Sequence, residues 1–168
     1  FPELNFKVSL GYNSLTSDET SKTPLSAQFT TANTVGRFDV GKGINWSLIA
    51  EPQLEFVKKV GKGKISFLSG GTFQKNNGST LLINSSGYTN DIVLGNLAGA
   101  TSITSTNTTL QYKYAALFGR FNYLVSNKYI LNLTGRIDGS SRFGPGKKWA
   151  NFASIAGGWL FSEEAFFK

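Results

Sequence analysis

Three constellations in this chain have residue types suited to chemistry. Gly139-Ser140-Ser141-Arg142-Phe143-Gly144 carries the glycine spacing of a phosphate-binding loop. Such a loop needs a Lys and then a Ser or Thr directly after its last glycine, so that an ammonium reaches the phosphates and a hydroxyl reaches a metal ion. Pro145 and Gly146 stand there instead, and no amphipathic helix follows to offer its N-terminus to an anion. Asp138 beside Ser140 and Ser141 brings a carboxylate near two hydroxyls, as a hydrolase would. A serine nucleophile needs a base, and the chain has no His, no motif-positioned Lys and no nucleophile elbow. Glu51 and Glu55 share one face of a strand and would be a glycosidase acid and base. A single such pair reads more simply as a hydrated face. Glu163-Glu164, after Ser162, reads as the cap of a turn or short helix. Cys is absent along with His, which removes disulfides, zinc sites of the Cys/His type, thiol nucleophiles and imidazole bases. The chain is therefore expected to have no catalytic residues, no metal site and no cofactor, and not to be an enzyme.

Five polar residues remain: Arg120, Asn122, Asn132, Arg136 and Asp138. What unites them is position, and that depends on the elements that carry them. Six segments alternate apolar and polar residues with period two, the mark of strands with one face out of water. Leu4, Phe6, Val8, Leu10 and Tyr12 share the first apolar face. Ile44, Trp46, Leu48, Ala50, Pro52, Leu54 and Phe56 share the second. Lys64 to Gln74 forms a third strand, weakened by Gly70 and Gly71. From Thr109 to Val125, Leu117, Gly119, Phe121, Tyr123 and Val125 oppose Ala116, Phe118, Arg120, Asn122 and Leu124. From Lys128 to Asp138, Tyr129, Leu131, Leu133, Gly135 and Ile137 oppose Ile130, Asn132, Thr134, Arg136 and Asp138. Trp149 to Phe161 places Trp149, Ala153, Ile155, Trp159 and Phe161 together. The five polar residues thus lie opposite the best apolar stripe.

The connections alternate in length. Long ones are expected at Asn13 to Gly43 and Lys75 to Thr108, with Thr30-Thr31-Ala32-Asn33-Thr34 and Ala100 to Thr109 as polar stretches within or beside them. An intermediate one is expected at Gly139 to Lys148. Tight ones are expected at Val57 to Gly63 and around Ser126-Asn127. In an antiparallel meander the longer connections then fall at one end and the tight turns at the other, as in outer-membrane barrels. A soluble barrel with ligand loops at one mouth would share that asymmetry. Strands of 11 or more residues match a tilted membrane crossing of about 9–11 residues better than the usual globular strand of about 5–6. Aromatics near strand ends, such as Tyr12, Trp46, Phe56, Tyr129, Trp149 and Trp159, suit interfacial girdles. The fold class expected is all-β: an antiparallel meander of about six long strands, part of a transmembrane β-barrel wall. The competing expectation is a small soluble or surface β-sandwich or barrel that binds a ligand through long polar loops.

The net charge of +7 admits nucleic acid as a partner. The lysines cluster in turns, as in Lys58-Lys59 and Lys147-Lys148, so solvated turns or anionic lipid headgroups account for the charge and no nucleic-acid partner is expected. No run of eighteen apolar residues occurs and no signal peptide is expected to remain, although transmembrane strands would escape both tests. Residue 1 is Phe and Met is absent, so the chain is expected to be a processed product or a piece of a longer one.

One stretch is unusual enough to point to a family. Arg136, Asp138-Gly139-Ser140-Ser141-Arg142-Phe143-Gly144, Trp149, Phe152, Ser154, Gly158-Trp159, Ser162, Glu164 and Phe166 form a gapless string. It resembles the barrel signature of the SusC/RagA family, TonB-dependent outer-membrane transporters of Bacteroidota that import glycans or peptides. Leu117 to Tyr123 with Lys128 to Leu131, and Gly70 to Gln74, are similar to strands that precede it. The resemblance spans roughly residues 44–168. It implies a barrel of about 22 strands, a separate plug that couples to TonB, and a SusD-like surface lipoprotein as lid. In that setting the 168 residues are one segment of barrel wall without the plug. Arg120, Asn122, Asn132, Arg136 and Asp138 face the lumen, to meet the plug or an oligosaccharide or peptide substrate. The apolar face meets outer-membrane lipid.

Overall fold

A computed structural model describes residues 2–29, 31 and 34–167. Part of the polar Thr30–Thr34 run falls on residues 30, 32 and 33, outside the described residues. The structure is all-β. β1 (Leu4–Thr23), β2 (Gly36–Val60), β3 (Gly63–Tyr88), β4 (Ser102–Val125), β5 (Tyr129–Ser140) and β6 (Trp149–Trp159) form one antiparallel sheet in sequence order. The sheet is not closed.

Turn chemistry fixes the hairpins. Gly61 has φ +58°, a glycine at the first central position of a two-residue turn, as type II′ requires. Ser126 and Asn127 have φ +51° and +58°, the left-handed pair of a type I′ turn, whose twist matches that of its strands. Both tight turns lie where the sequence predicts them.

The long connections are shorter than the sequence predicts. Only residues 24–35 separate β1 from β2, and only 89–101 separate β3 from β4. The expected loops at 13–43 and 75–108 are largely strand. These extensions are mostly polar, and their apolar residues, such as Phe38, Val40, Leu82 and Tyr88, are too scattered to show the period of two, while backbone pairing continues. β3 accordingly runs to Tyr88, and β4 begins at Ser102. β5 likewise takes in Gly139 and Ser140, leaving 141–148 as the last connection.

The chain forms two compact units. The first comprises Phe1–Tyr12, Ser47–Lys75 and Tyr112–Lys168. Its register sets Leu117 against Ile137, Phe121 against Leu133, and Leu133 against Ile155 on one face. Ala116 is the buried apolar side chain among this unit's described residues. Ile155 is 75% exposed, and Leu10, Leu117, Trp149 and Trp159 are exposed too. One sheet has no second layer to cover it, so its apolar face is left at the surface.

The second unit comprises Asn13–Trp46 and Asn76–Gln111, and it has a small core of its own. Tyr88 is fully buried beside Ser85 and Phe38. The Ser85 hydroxyl donates to the Phe38 carbonyl and lies 3.0 Å from the Tyr88 hydroxyl. Gly36 lets Leu25, Tyr88 and Leu94 close in, since a Cβ there would meet each of them at 3.1–3.3 Å. Asp91 accepts from the Leu25 and Ser26 amides at 2.7 and 3.2 Å. Its hydrogen bonds, first from Ser26 and then from Leu25, hold its carboxyl below the ordinary value.

Candidate functional site

The five predicted polar residues lie on one face of the first unit. Register places Asn122 opposite Asn132, Arg120 opposite Thr134, Phe118 opposite Arg136 and Ala116 opposite Asp138. On β6 the same rows continue through Ala156, Ser154, Phe152 and Ala150. Side chains on these rows bond across the strands. Asn122 Nδ2 donates to Asn132 Oδ1 at 2.6 Å, and Thr134 Oγ1 lies 2.6 Å from Ser154 Oγ.

The strongest contact is at Asp138. Arg136 Nε donates to both of its oxygens, at 2.7 and 3.0 Å. Tyr114 closes the triad: its hydroxyl donates to Asp138 Oδ1 at 2.9 Å and accepts from Arg136 Nη2 at 2.7 Å. Two residues apart on a strand, Arg136 and Asp138 share a face, so their pairing follows from the pleat. Tyr114 was not among the predicted residues. Its even number puts it on the same face of β4 as Phe118 and Arg120, which was the available signal. The Arg136 guanidinium also stands 6.0 Å from the Phe118 ring centroid. Phe118 lies over Gly70, where an added Cβ would come within 2.7 Å of the ring. The glycine that weakens β3 as a sequence signal is thus the seat of an aromatic ring. Arg120 forms no ion pair among the described residues and, with Thr134, Arg136, Phe152 and Ser154, lines an open hollow of about 420 Å³.

The residues of the Asp138–Gly144 signature do structural tasks here. Gly139 belongs to β5 and not to the turn: a Cβ there would lie 2.5 Å from the indole of Trp149, its register partner. The ring lies over the strand and demands glycine beneath it. The nearly buried Ser140 accepts at Oγ from Arg142 N at 3.2 Å. Ser141 ties the loop to β4, donating its amide to the Lys113 carbonyl at 2.9 Å and accepting Lys113 N at Oγ, 3.0 Å. Arg142 stacks 4.4 Å from the Tyr112 ring centroid, and Phe143 N donates to the Ser140 carbonyl at 3.2 Å. Gly144 accepts from Lys147 N at 3.1 Å, and Gly146 takes φ +76°. On β6, Phe152 stands opposite Arg136 and Gly158 opposite Ile130.

Glu164 also departs from expectation. The short 3-10 turn Phe161–Glu163 has no side-chain cap. Glu164 instead reaches the start of β5: Lys128 Nζ lies 2.7 Å from Oε2, while Tyr129 OH and Trp159 Nε1 donate to Oε1 at 2.8 and 3.1 Å. The Lys128 ammonium, then Tyr129 and Trp159, lower the Glu164 carboxyl to about 2. Neighbouring aromatics continue the cluster, with Trp159 edge-on to Phe161 at 6.4 Å. Among the described residues no three His, Cys, Asp or Glu side chains group to hold a metal ion.

No family model matches the chain. Individual relatives do. TonB-dependent receptor P26 of Formosa agariphila is 32% identical over 151 residues, 83% of this chain and 15% of the relative. TonB-dependent receptor SusC of Bacteroides thetaiotaomicron is 33% identical over 117 residues, 68% of this chain and 11% of SusC. The fold of the RagAB peptide transporter matches all of this chain and 19% of its own, with a TM-score of 0.84 at 21% identity. This chain is a barrel segment of the SusC/RagA family. The SusC/RagA segment spans well under a fifth of the receptors it matches by sequence. It belongs to the outer membrane, which explains why the first unit's apolar face has no protein layer over it. Lipid covers apolar side chains, and strand pairing satisfies the backbone. Trp149 and Trp159 stand ten residues apart on β6. That is about 33 Å along a strand and about 25 Å at a tilt of about 40°, the height of a barrel's apolar band.

Proposed function

We propose that this segment is lipid-facing wall in an outer-membrane importer of glycans or peptides. One observation carries the reading: an exposed apolar face, bracketed by Trp149 and Trp159, backs onto a hydrogen-bonded polar ladder. Single-sided lipid contact and a wet interior require that division. In this reading the 168 residues are one continuous piece of wall. The rest of the barrel completes it, the plug occupies its lumen and engages TonB, and a SusD-like lipoprotein covers its outer mouth. SusC, RagAB and the Formosa receptor P26 supply the kinship that supports this assembly. The polar ladder of Asn122, Asn132, Arg136 and Asp138 faces the lumen. Its internal pairing suits a surface against which the plug seats. Arg120, with no ion partner among the described residues, is the member best suited to meet plug or substrate. The segment itself has no catalytic part in this scheme.

The test is a pair of nitroxide labels in a cysteine-free full-length receptor in vesicles, one at Ile155→Cys and one at Thr134→Cys. These neighbours in adjacent strands lie on opposite faces. The Ile155 label is expected to collide preferentially with oxygen dissolved in lipid, and the Thr134 label with a water-soluble nickel chelate. Water accessibility at Ile155 equal to that at Thr134 would sink the wall reading.

A further inference from the structure

On the apolar face, in the Trp149 row at the edge of the band, the surface changes character. Ala115 and Gly139 stand side by side, and their small size leaves a hollow of about 260 Å³ on the sheet. The indole of Trp149, 62% exposed, forms one wall where it lies over Gly139. Lys113, Tyr114, Ser140, Ser141 and Lys148 complete the lining, which includes no carboxylate. Neither lysine forms an ion pair among the described residues. Asp138, the nearest acid in sequence, is held on the opposite face by Arg136 and Tyr114. The contrast with the Trp159 end is informative. There, indole and Lys128 both bind Glu164, so the cation is already neutralised. At the Trp149 end the equivalent indole shares its hollow with two lysines that form no ion pair among the described residues.

We infer that the Lys113–Lys148–Trp149 hollow binds the phosphorylated sugar headgroup of an outer-leaflet glycolipid. Each part has a matching task. The ammoniums pair with phosphate. The exposed indole face offers an apolar plane for the C–H face of a sugar ring, as aromatic side chains at membrane interfaces present a flat body with a polar edge. The site stands at the edge of the apolar band, so acyl chains extending from the headgroup would run down over Leu117, Ile137 and Ile155. A soluble phosphate would use the lysines alone and leave the indole and the apolar face unused. Basic residues beside a bilayer attract anionic headgroups in just this setting. The inference rests on the wall reading, because the hollow meets a lipid only if the apolar face does.

Native mass spectrometry of the full-length receptor in detergent tests it. The probes are a diphosphorylated, acylated glucosamine disaccharide, its dephosphorylated form, and inorganic phosphate. Wild-type receptor is expected to retain the diphosphorylated lipid, and Lys113→Gln with Lys148→Gln to weaken it about tenfold. Lys62→Gln with Lys64→Gln, at the tight-turn end, is expected to leave binding unchanged. Dephosphorylated lipid and inorganic phosphate should give no stable adduct. Wild-type affinity in the Lys113/Lys148 variant would overturn the site, as would equal loss in the Lys62/Lys64 variant. Full displacement of the lipid by inorganic phosphate would assign the lysines to a free anion instead. The Ile155 label separates the two levels of failure. With that label in lipid, a negative binding result removes the headgroup site alone; with it in water, the wall falls as well.

Discussion

At the scale of single residues, glycine and tryptophan act as one feature. Gly139 is required because the Trp149 ring lies where its Cβ would be, with three ring carbons within 2.5–2.8 Å of that position. Gly139→Ala must push the indole off the strand. Overpacking of this kind costs about 1–3 kcal/mol, and the lower end applies here because an indole can pivot at χ1 where backbone cannot. In a Trp149→Ala background the obstacle is gone, and Gly139→Ala should be close to neutral. Unfolding free energies of the full-length receptor, arranged as a double-mutant cycle, check the coupling directly. Additive costs would mean that Gly139 is held by backbone geometry and not by the ring. The same comparison shows why the glycine-rich signature misleads as chemistry. Its spacing imitates a phosphate loop, while its residues bind Trp149, Lys113 and Tyr112.

At the scale of elements, the segment after β6 is fastened to the β4–β5 hairpin by Glu164. The carboxyl is lowered to about 2, so the carboxylate is favoured in the folded state. The contribution to stability is therefore complete above the ordinary carboxylate value of about 4.3 and is lost as pH falls towards 2. A nitroxide at Ser162→Cys in the full-length receptor should be immobile above pH 5 and loosen progressively towards pH 2. With Glu164→Gln the same label should be loose at pH 7 and insensitive to pH over that range. A label that stays immobile in Glu164→Gln would show that aromatic packing around Phe161 and Trp159, and not the carboxylate, holds the segment. None of this was legible in sequence, because Glu164 finds Lys128 and Tyr129 across 36 and 35 residues. What was legible shares a physical basis. Strand centres such as Leu117–Val125 and Tyr129–Ile137 keep one face apolar, and Ser126-Asn127 can adopt left-handed φ. The Arg136–Asp138 pair follows from the period of two. The strand extensions at residues 13–23, 36–43, 75–88 and 102–108 were invisible because their apolar residues, such as the buried Phe38 and Tyr88, are too scattered to set a period of two, while the backbone pairing has no side-chain code. Tyr114 lies within the predicted fourth strand, and its role was missed because its partners Arg136 and Asp138 stand 22 and 24 residues away.

At the scale of the whole molecule, surface area states what the chain lacks. The exposed residues include large apolar side chains of the first unit, among them Phe6, Leu10, Leu117, Ile155 and Trp159. Soluble monomers rarely leave more than a few hundred Å² of contiguous apolar surface uncovered. β1 and β6 are also the two edges of the sheet, each paired on one side only among the described residues. An edge offers a row of free N–H and C=O groups to any other strand. Covering the apolar face and pairing the edges are separate needs, and detergent meets only the first. The 168-residue chain produced alone is therefore expected to aggregate in detergent-free buffer and to form multimers through its edges in detergent. Supplying the remaining strands of the receptor as a second polypeptide should suppress those multimers in favour of a single closed complex, because each edge then has its native neighbour. Light scattering coupled to size-exclusion chromatography distinguishes these states by mass. A detergent-free monomer that unfolds cooperatively would contradict both needs at once, since it would have to bury the face holding Leu131, Leu133, Ile155 and Trp159 without lipid or a partner strand.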